Sequence, residues 1–319
     1  MEEIDSTTNE SLKADQKNEG ILKEPLYILN DHTDSIFCAT VLKDGRLVTG
    51  SSDYTIIIYN NKTFKPDLKI KEHKSVISCL IQLSSGILVS GSYDYTIKLF
   101  AINENKYNVI QTLAYHSSDI SYITELKNKQ FVSCSYDNTI IFYSQDNDNK
   151  YTKDYNINTD TENGPIIQIK DNEVCFFELV DSSLSFFDLQ ERIIIAALNN
   201  ISVSTNVFDC LVMITKDLLL TTGIEKLTII DINLHSVIRS IDVSISGRIY
   251  TACLLNNNIL LTGDEKHNII KWRIEGDNLR MISKKENAHS SWISTIKQLG
   301  NGLVMSGDGK GKVKIWKYY

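Results

Sequence analysis

Histidine, aspartate and hydroxyl side chains recur together along this chain, and together they make a proton relay. His32 and Asp53, His73 and Asp94, and His116 and Asp137 share one spacing, with serine and threonine nearby. In acyl transfer such a trio works as nucleophile, base and orienting carboxylate. A hydrolase triad is unique, exposed and accompanied by oxyanion donors. Here the trio repeats at equivalent positions, which points to a structural network. GDGKGKVK, from Gly307 to Lys314, looks at first like a phosphate loop. It lacks the GxxxxGK[ST] spacing and no helix follows it, so its glycines are read as a tight hairpin with positive φ. His235 and His267 stand alone in turns and read as solvated. Carboxylates are scattered over turns, where aspartate caps the local backbone, and nothing selects a glycosidase pair. Cys38, Cys79, Cys134, Cys175, Cys210 and Cys253 fall in apolar runs without CxxC spacing. They read as buried thiols in a reducing compartment, not as zinc ligands. No catalytic residue, metal or cofactor is assigned, and the chain is read as a non-enzyme.

The elements that carry these residues repeat. GSSDYTIIIYN (Gly50 to Asn60), GSYDYTIKLFA (Gly91 to Ala101) and CSYDNTIIFYS (Cys134 to Ser144) are copies of one unit. They end on Tyr59, Phe100 and Tyr143, and later copies end at Phe187, Ile232, Trp272 and Trp316. The period of about 43 residues is that of a four-stranded propeller blade. His32, His73, His116 and His289 each lie 27 residues before the terminal ring of repeats one, two, three and seven. Repeats four to six lack that histidine. In repeat one, Ile36 to Leu42, Arg46 to Ser51 and Thr55 to Tyr59 are expected strands. Runs such as IFCATVL are apolar on both faces, as strands covered by neighbouring blades must be. Pro25, Pro66 and Pro165 fall at strand starts, where a missing donor costs least.

These signals predict an all-β fold: one seven-bladed β-propeller of four-stranded antiparallel blades over residues 25–319. Residues 1–24 are polar and acidic and read as a disordered tail. Little chain follows Trp316, so PLYIL (Pro25 to Leu29) is expected to complete the last blade and close the ring. The net charge of −7 over 319 residues argues against direct nucleic-acid binding. MEEIDSTTNE carries no apolar signal region, and no apolar run reaches membrane-spanning length. A cytoplasmic or nuclear protein is expected.

From Pro25 onward the chain resembles WD-repeat β-propellers, through the leading histidines, the SxD turns, the Thr-Ile pairs and the terminal rings. The resemblance implies a buried network of turn Asp, leading His, strand Ser or Thr and terminal Trp. His32 with Asp53, His73 with Asp94, and His116 with Asp137 supply its first link. His289 and Trp316 belong to it in repeat seven, but Lys310 stands at the Asp position. No repeat is therefore expected to hold the complete network. The resemblance also implies two rim positions per blade on the top face. Trp292, Tyr93, Tyr136, Arg248, Asp119 and Phe208 occupy such positions and are the candidate partner-binding residues, with blade four read at Asn163 and Val180. Trp, Tyr and Arg are enriched at binding hot spots. The implied function is a protein-binding scaffold or adaptor, a monomer within a hetero-complex, with proteins or peptides as partners and no membrane. The alternatives are a substrate receptor of a ubiquitin ligase and, from another class, a propeller hydrolase.

Overall fold

The computed structural model describes residues 22–201, 210–243, 247–256 and 258–318. The chain forms seven four-stranded antiparallel sheets, each a blade. Blade one consists of Ile36–Val41, Leu47–Ser51, Ile56–Tyr59 and Pro66–Ile70, so the predicted strands shift by no more than a residue. The inner strands of blades two to seven are Ile77–Gln82, Ile120–Glu125, Asn163–Lys170, Leu211–Met213, Ile249–Leu255 and Ile293–Gln298. Each inner strand touches the inner strands of both neighbours, and blade seven touches blade one.

Blade seven takes its outer strand from the other end of the chain. Tyr27–Leu29 pairs antiparallel with Val313–Lys317, Tyr27 opposite Ile315 and Leu29 opposite Val313. Residues 22–24 also reach this seam. Leu22 is buried with Ala288, Ile296 and Trp316, and the Glu24 carboxylate pairs with Lys285 at 3.0 Å.

Hydrophobic burial is distributed between blades. One cluster joins blades seven and one through Ile36, Leu47, Tyr59, Met305 and Ile315, and equivalent clusters fill the other seams. A strand sandwiched in this way buries both faces, which is why Ile56–Tyr59 is wholly inaccessible. The seams are tight enough to require glycine. A Cβ on Gly307 would lie 2.7 Å from Ile36 Cγ2 across the ring closure. Gly50, Gly91 and Gly263 face Ile77, Ile120 and Ile293 in the same way, each at 2.6 Å.

Two minor readings resolve differently. Pro165 lies within the inner strand of blade four, at a register irregularity between Asn163 and Ile166 that spares a ladder donor. His235 is not a solvated turn residue. Its Nε2 lies 2.6 Å from Glu173, whose other oxygen accepts from Lys170 at 2.8 Å. Lys170 also donates to the Ile232 carbonyl at 2.9 Å. Glu173 is buried, and this cluster pins the bottom hairpin of blade five to blade four. The partners are separated by 62 residues, so local sequence does not display the contact.

Candidate functional site

The histidine network forms in blade one, two and three as their sequences indicate. Nδ1 of His32, His73 and His116 lies 2.9, 2.8 and 2.9 Å from Asp53, Asp94 and Asp137. Nε2 meets Thr49, Ser90 and Ser133 at 2.8, 2.6 and 2.7 Å. The same carboxylates accept from Thr55, Thr96 and Thr139, and from the backbone N–H after each histidine. Each aspartate thus ties the loop entering its blade to the turn within it. The arrangement has the connectivity of a triad. However, Thr49, Ser90 and Ser133 are each 0% exposed on the second strand, so no substrate carbonyl can reach those hydroxyls.

Blade seven overturns the expectation that no network is complete. Lys310 does stand at the usual Asp position, but Asp308, two residues earlier, supplies the carboxylate. Trp316 Nε1 donates to Ser306 Oγ at 2.7 Å, Ser306 meets His289 Nε2 at 2.6 Å, and His289 Nδ1 reaches Asp308 at 3.0 Å. Asp308 closes the second strand, where blade one has Ser51. The shortened approach is completed by the turn, because the N–H groups of Lys310 and Lys312 both donate to Asp308. GDGKGKVK therefore cradles an internal carboxylate, with Gly311 at φ +78° as the hairpin expectation requires. In blade three, Tyr143 replaces the indole, its hydroxyl 3.2 Å from Ser133.

The family model for the WD domain, G-beta repeat (WD40), matches residues 23–60, 64–100 and 107–144, three segments that each begin at the outer strand of one blade and end at the third strand of the next, in blades one, two and three. The chain therefore carries three WD40 repeats within a seven-bladed β-propeller. No curated protein matches it at a significant level. WD-repeat propellers typically mediate protein–protein interaction and are usually non-enzymatic. The fullest network, between His289 and Trp316 of blade seven, lies outside the matched segments, and its carboxylate occupies a different position in the repeat.

The top rim is defined by one recurring backbone bond. The N–H before the turn donates to the carbonyl of the residue before the inner strand. The pairs are Ser52 to Ser35, Tyr93 to Val76, Tyr136 to Asp119, Glu265 to Arg248 and Gly309 to Trp292, at 2.8–3.0 Å. The two rim sets read from sequence are therefore physically paired. In blade four the pair is Leu179 to Glu162 at 2.8 Å. Glu162 and Leu179, not Asn163 and Val180, hold the rim positions there. The turn between the second and third strands is one residue longer in blade four, Phe177 pairing with Leu184 where Gly50 pairs with Ile56, so counting back from Phe187 falls one residue short. Phe208 lies outside the described residues.

The aromatic candidates join into one arc across blades six, seven, one, two and three. Tyr250 and Trp292 have ring centroids 5.2 Å apart, and Trp292 meets Phe37 edge-on at 6.4 Å. Phe37 meets Tyr93 edge-on at 6.0 Å, and Tyr93 lies 6.3 Å from Tyr136. Trp292, Phe37, Tyr93 and Tyr136 are half-buried, and Tyr250 is buried. Burial raises the Tyr93 and Tyr136 hydroxyls above the ordinary phenol range, so the arc is neutral. Gly309 makes room for it, since a Cβ there would lie 2.2 Å from Trp292 Nε1. Phe37 and Tyr250 escape a sequence reading because they sit inside apolar runs and look like core. Beneath the arc is a cavity of about 310 Å³ lined in part by Phe37, Thr40, Ser78, Tyr122, Lys297 and Gln298.

The cysteines offer no alternative chemistry. All six are thiols, five of them buried, and burial pushes Cys79 up to about 12, which suppresses the nucleophilic thiolate.

The network predicts acid lability. Burial lowers the pKa of His289 below its ordinary value, outweighing the hydrogen bond it donates to Asp308. The unfolded chain therefore binds that proton first, and stability declines as pH falls through about 6.5. Burial raises carboxyl pKa values, but hydrogen bonds from histidine and threonine overcome it and hold Asp53, Asp94 and Asp137 well below the usual range. Their contribution is complete above about pH 4 and is lost on further acidification. Urea unfolding followed from pH 8 to pH 3 should show a shallow loss from His289 and then a steep one from the three aspartates. A midpoint independent of pH over that range would contradict the assignment.

Proposed function

We propose that this seven-bladed ring is a non-catalytic adaptor subunit that captures a segment of a protein partner on its top rim. The supporting observation is the aromatic arc from Tyr250 to Tyr136. Trp292, Phe37, Tyr93 and Tyr136 are only half-buried, and ring closure does not require aromatics at the rim positions, where Ser35 and Ser52 serve in blade one. A rigid row of aromatics gives contact area at little entropic cost. Trp292, Tyr93 and Tyr136 supply the contact area, with Arg248 and Asp119 flanking it. The scaffold is held by the histidine networks and needs no movement to present this surface.

The expected result of Trp292→Ala with Tyr93→Ala is a loss of partner capture of at least about tenfold, the range of paired hot-spot truncations. The melting temperature should change little. Affinity purification with quantitative mass spectrometry, wild type against variant, measures the first and calorimetry the second. Early unfolding of the variant, or an unchanged partner set, would remove the rim as the binding surface.

A further inference from the structure

The rim residues divide by charge. Asp119 and Glu162 hold the equivalent positions of adjacent blades three and four, next to Tyr136 and Tyr93. Across the ring, the top of blades six and seven carries Arg248, Lys266 and Lys310. Among the described residues no lysine or arginine forms a salt bridge with Asp119 or Glu162. Burial and the Glu162 charge both raise the Asp119 carboxyl, and the same two carboxylates act on Tyr136.

A second observation is independent of the carboxylates. Asn163, beside Glu162, is 0% exposed. Its amide donates to Thr159 at 2.7 Å and its carbonyl accepts from Ser121, which places it at the junction of blades three and four. Its side-chain Oδ1 has no hydrogen-bond partner, and neither has the buried Thr161 Oγ1. A buried acceptor left unsatisfied is costly and rare in native proteins. This corner of the rim has acceptors and negative charge in excess and is short of donors.

We infer that the rim above blades three and four takes a basic side chain, an ammonium or guanidinium, of the captured partner segment. This rests on the rim being the binding surface. Several N–H donors on one cation match the two carboxylates, to which the buried Asn163 oxygen, itself out of a ligand's reach, adds negative potential, and the faces of Tyr93 and Tyr136 favour a cation beside them. The net charge of −7 draws basic segments in, while the lysines of blades six and seven sort the basic residue to the opposite side.

The test uses four labelled nonapeptides, Ser-Gly-Leu-Ser-X-Ser-Leu-Gly-Ser, with X as Arg, Lys, Gln or Glu. Fluorescence anisotropy at low salt is read against the full chain. The Arg or Lys peptide should bind at least about tenfold tighter than the Gln peptide, as expected for a desolvated charge contact, with Glu weakest. Asp119→Asn with Glu162→Gln should abolish the difference at unchanged melting temperature. Equal binding of the Arg, Lys and Gln peptides, an advantage that survives in the double variant, or binding by none of the four would overturn the inference. The two readings separate through Trp292→Ala with Tyr93→Ala. If that variant weakens all four peptides and the amide variant weakens none, the rim binds without charge preference. If neither variant changes anything, both readings fall.

Discussion

His289→Ala is expected to destabilise the ring by about 3 kcal/mol, the cost of removing a buried neutral imidazole that donates to a buried carboxylate. Both His289 and Asp308 side chains are 0% exposed. Alanine would strand the Asp308 carboxylate away from water and deprive Ser306 of its acceptor, leaving Trp316 as its remaining partner. The equivalent change in blade two should cost less, because the Asp94 side chain is 10% exposed and water can replace the imidazole. Asp308→Ser should also be costly, since it leaves the buried imidazole unpaired. Adding Lys310→Asp to Asp308→Ser restores the arrangement of blade one and should recover most of the loss. Urea unfolding of the four variants measures these differences. A loss below about 1 kcal/mol for His289→Ala, or no rescue by Lys310→Asp, would show that the network is not what holds blade seven.

Gly307→Val is expected to cost about 3 kcal/mol, the upper range for overpacking a close-packed interior. The new Cβ would meet Ile36 Cγ2 at 2.7 Å and Cβ at 3.0 Å, and the branched methyls extend further into the same space. Neither strand can yield easily, because Gly307 lies between two ladder partners and Ile36 opens the inner strand of blade one. The seam affected is the ring closure itself. Gly300→Val is the control, since no atom lies within 4 Å of its Cβ and its φ is ordinary. Thermal unfolding should separate the two clearly. Equal midpoints would mean that the seam relaxes freely.

The repeat pattern carried most of the architecture. Alternating short apolar runs and SxD turns specify hairpins locally, and the recurrence of Tyr59, Phe100, Tyr143 and their successors counts the blades. Blade five is the exception: the register shift and pairing that mark Tyr59 and Phe187 fall at Ile230, opposite Leu219, so Ile232, counted from Thr228, lies just past the strand, although it is buried. The histidine networks of blades one to three were legible because both partners hold constant spacing. Blade seven was not, because a motif records position whereas a carboxylate needs only to reach the imidazole. Asp308 does so from two residues earlier, helped by a glycine turn.

The rim shows the same division. Trp292, Tyr93 and Tyr136 could be placed on one edge by counting from each turn. Counting failed in blade four, where a turn one residue longer moved the position to Glu162, and it could not distinguish Phe37 and Tyr250 from core. Sequence by itself determined the number of blades, their strands and the pairing within each, because these depend on hydrogen bonds and side-chain alternation between near neighbours in the chain. Tertiary structure alone decided which blade completes the buried network, which aromatics meet across the top and where charge is left without a counterpart. Those depend on distances between blades, and closing the ring sets such distances without leaving a local mark in the sequence.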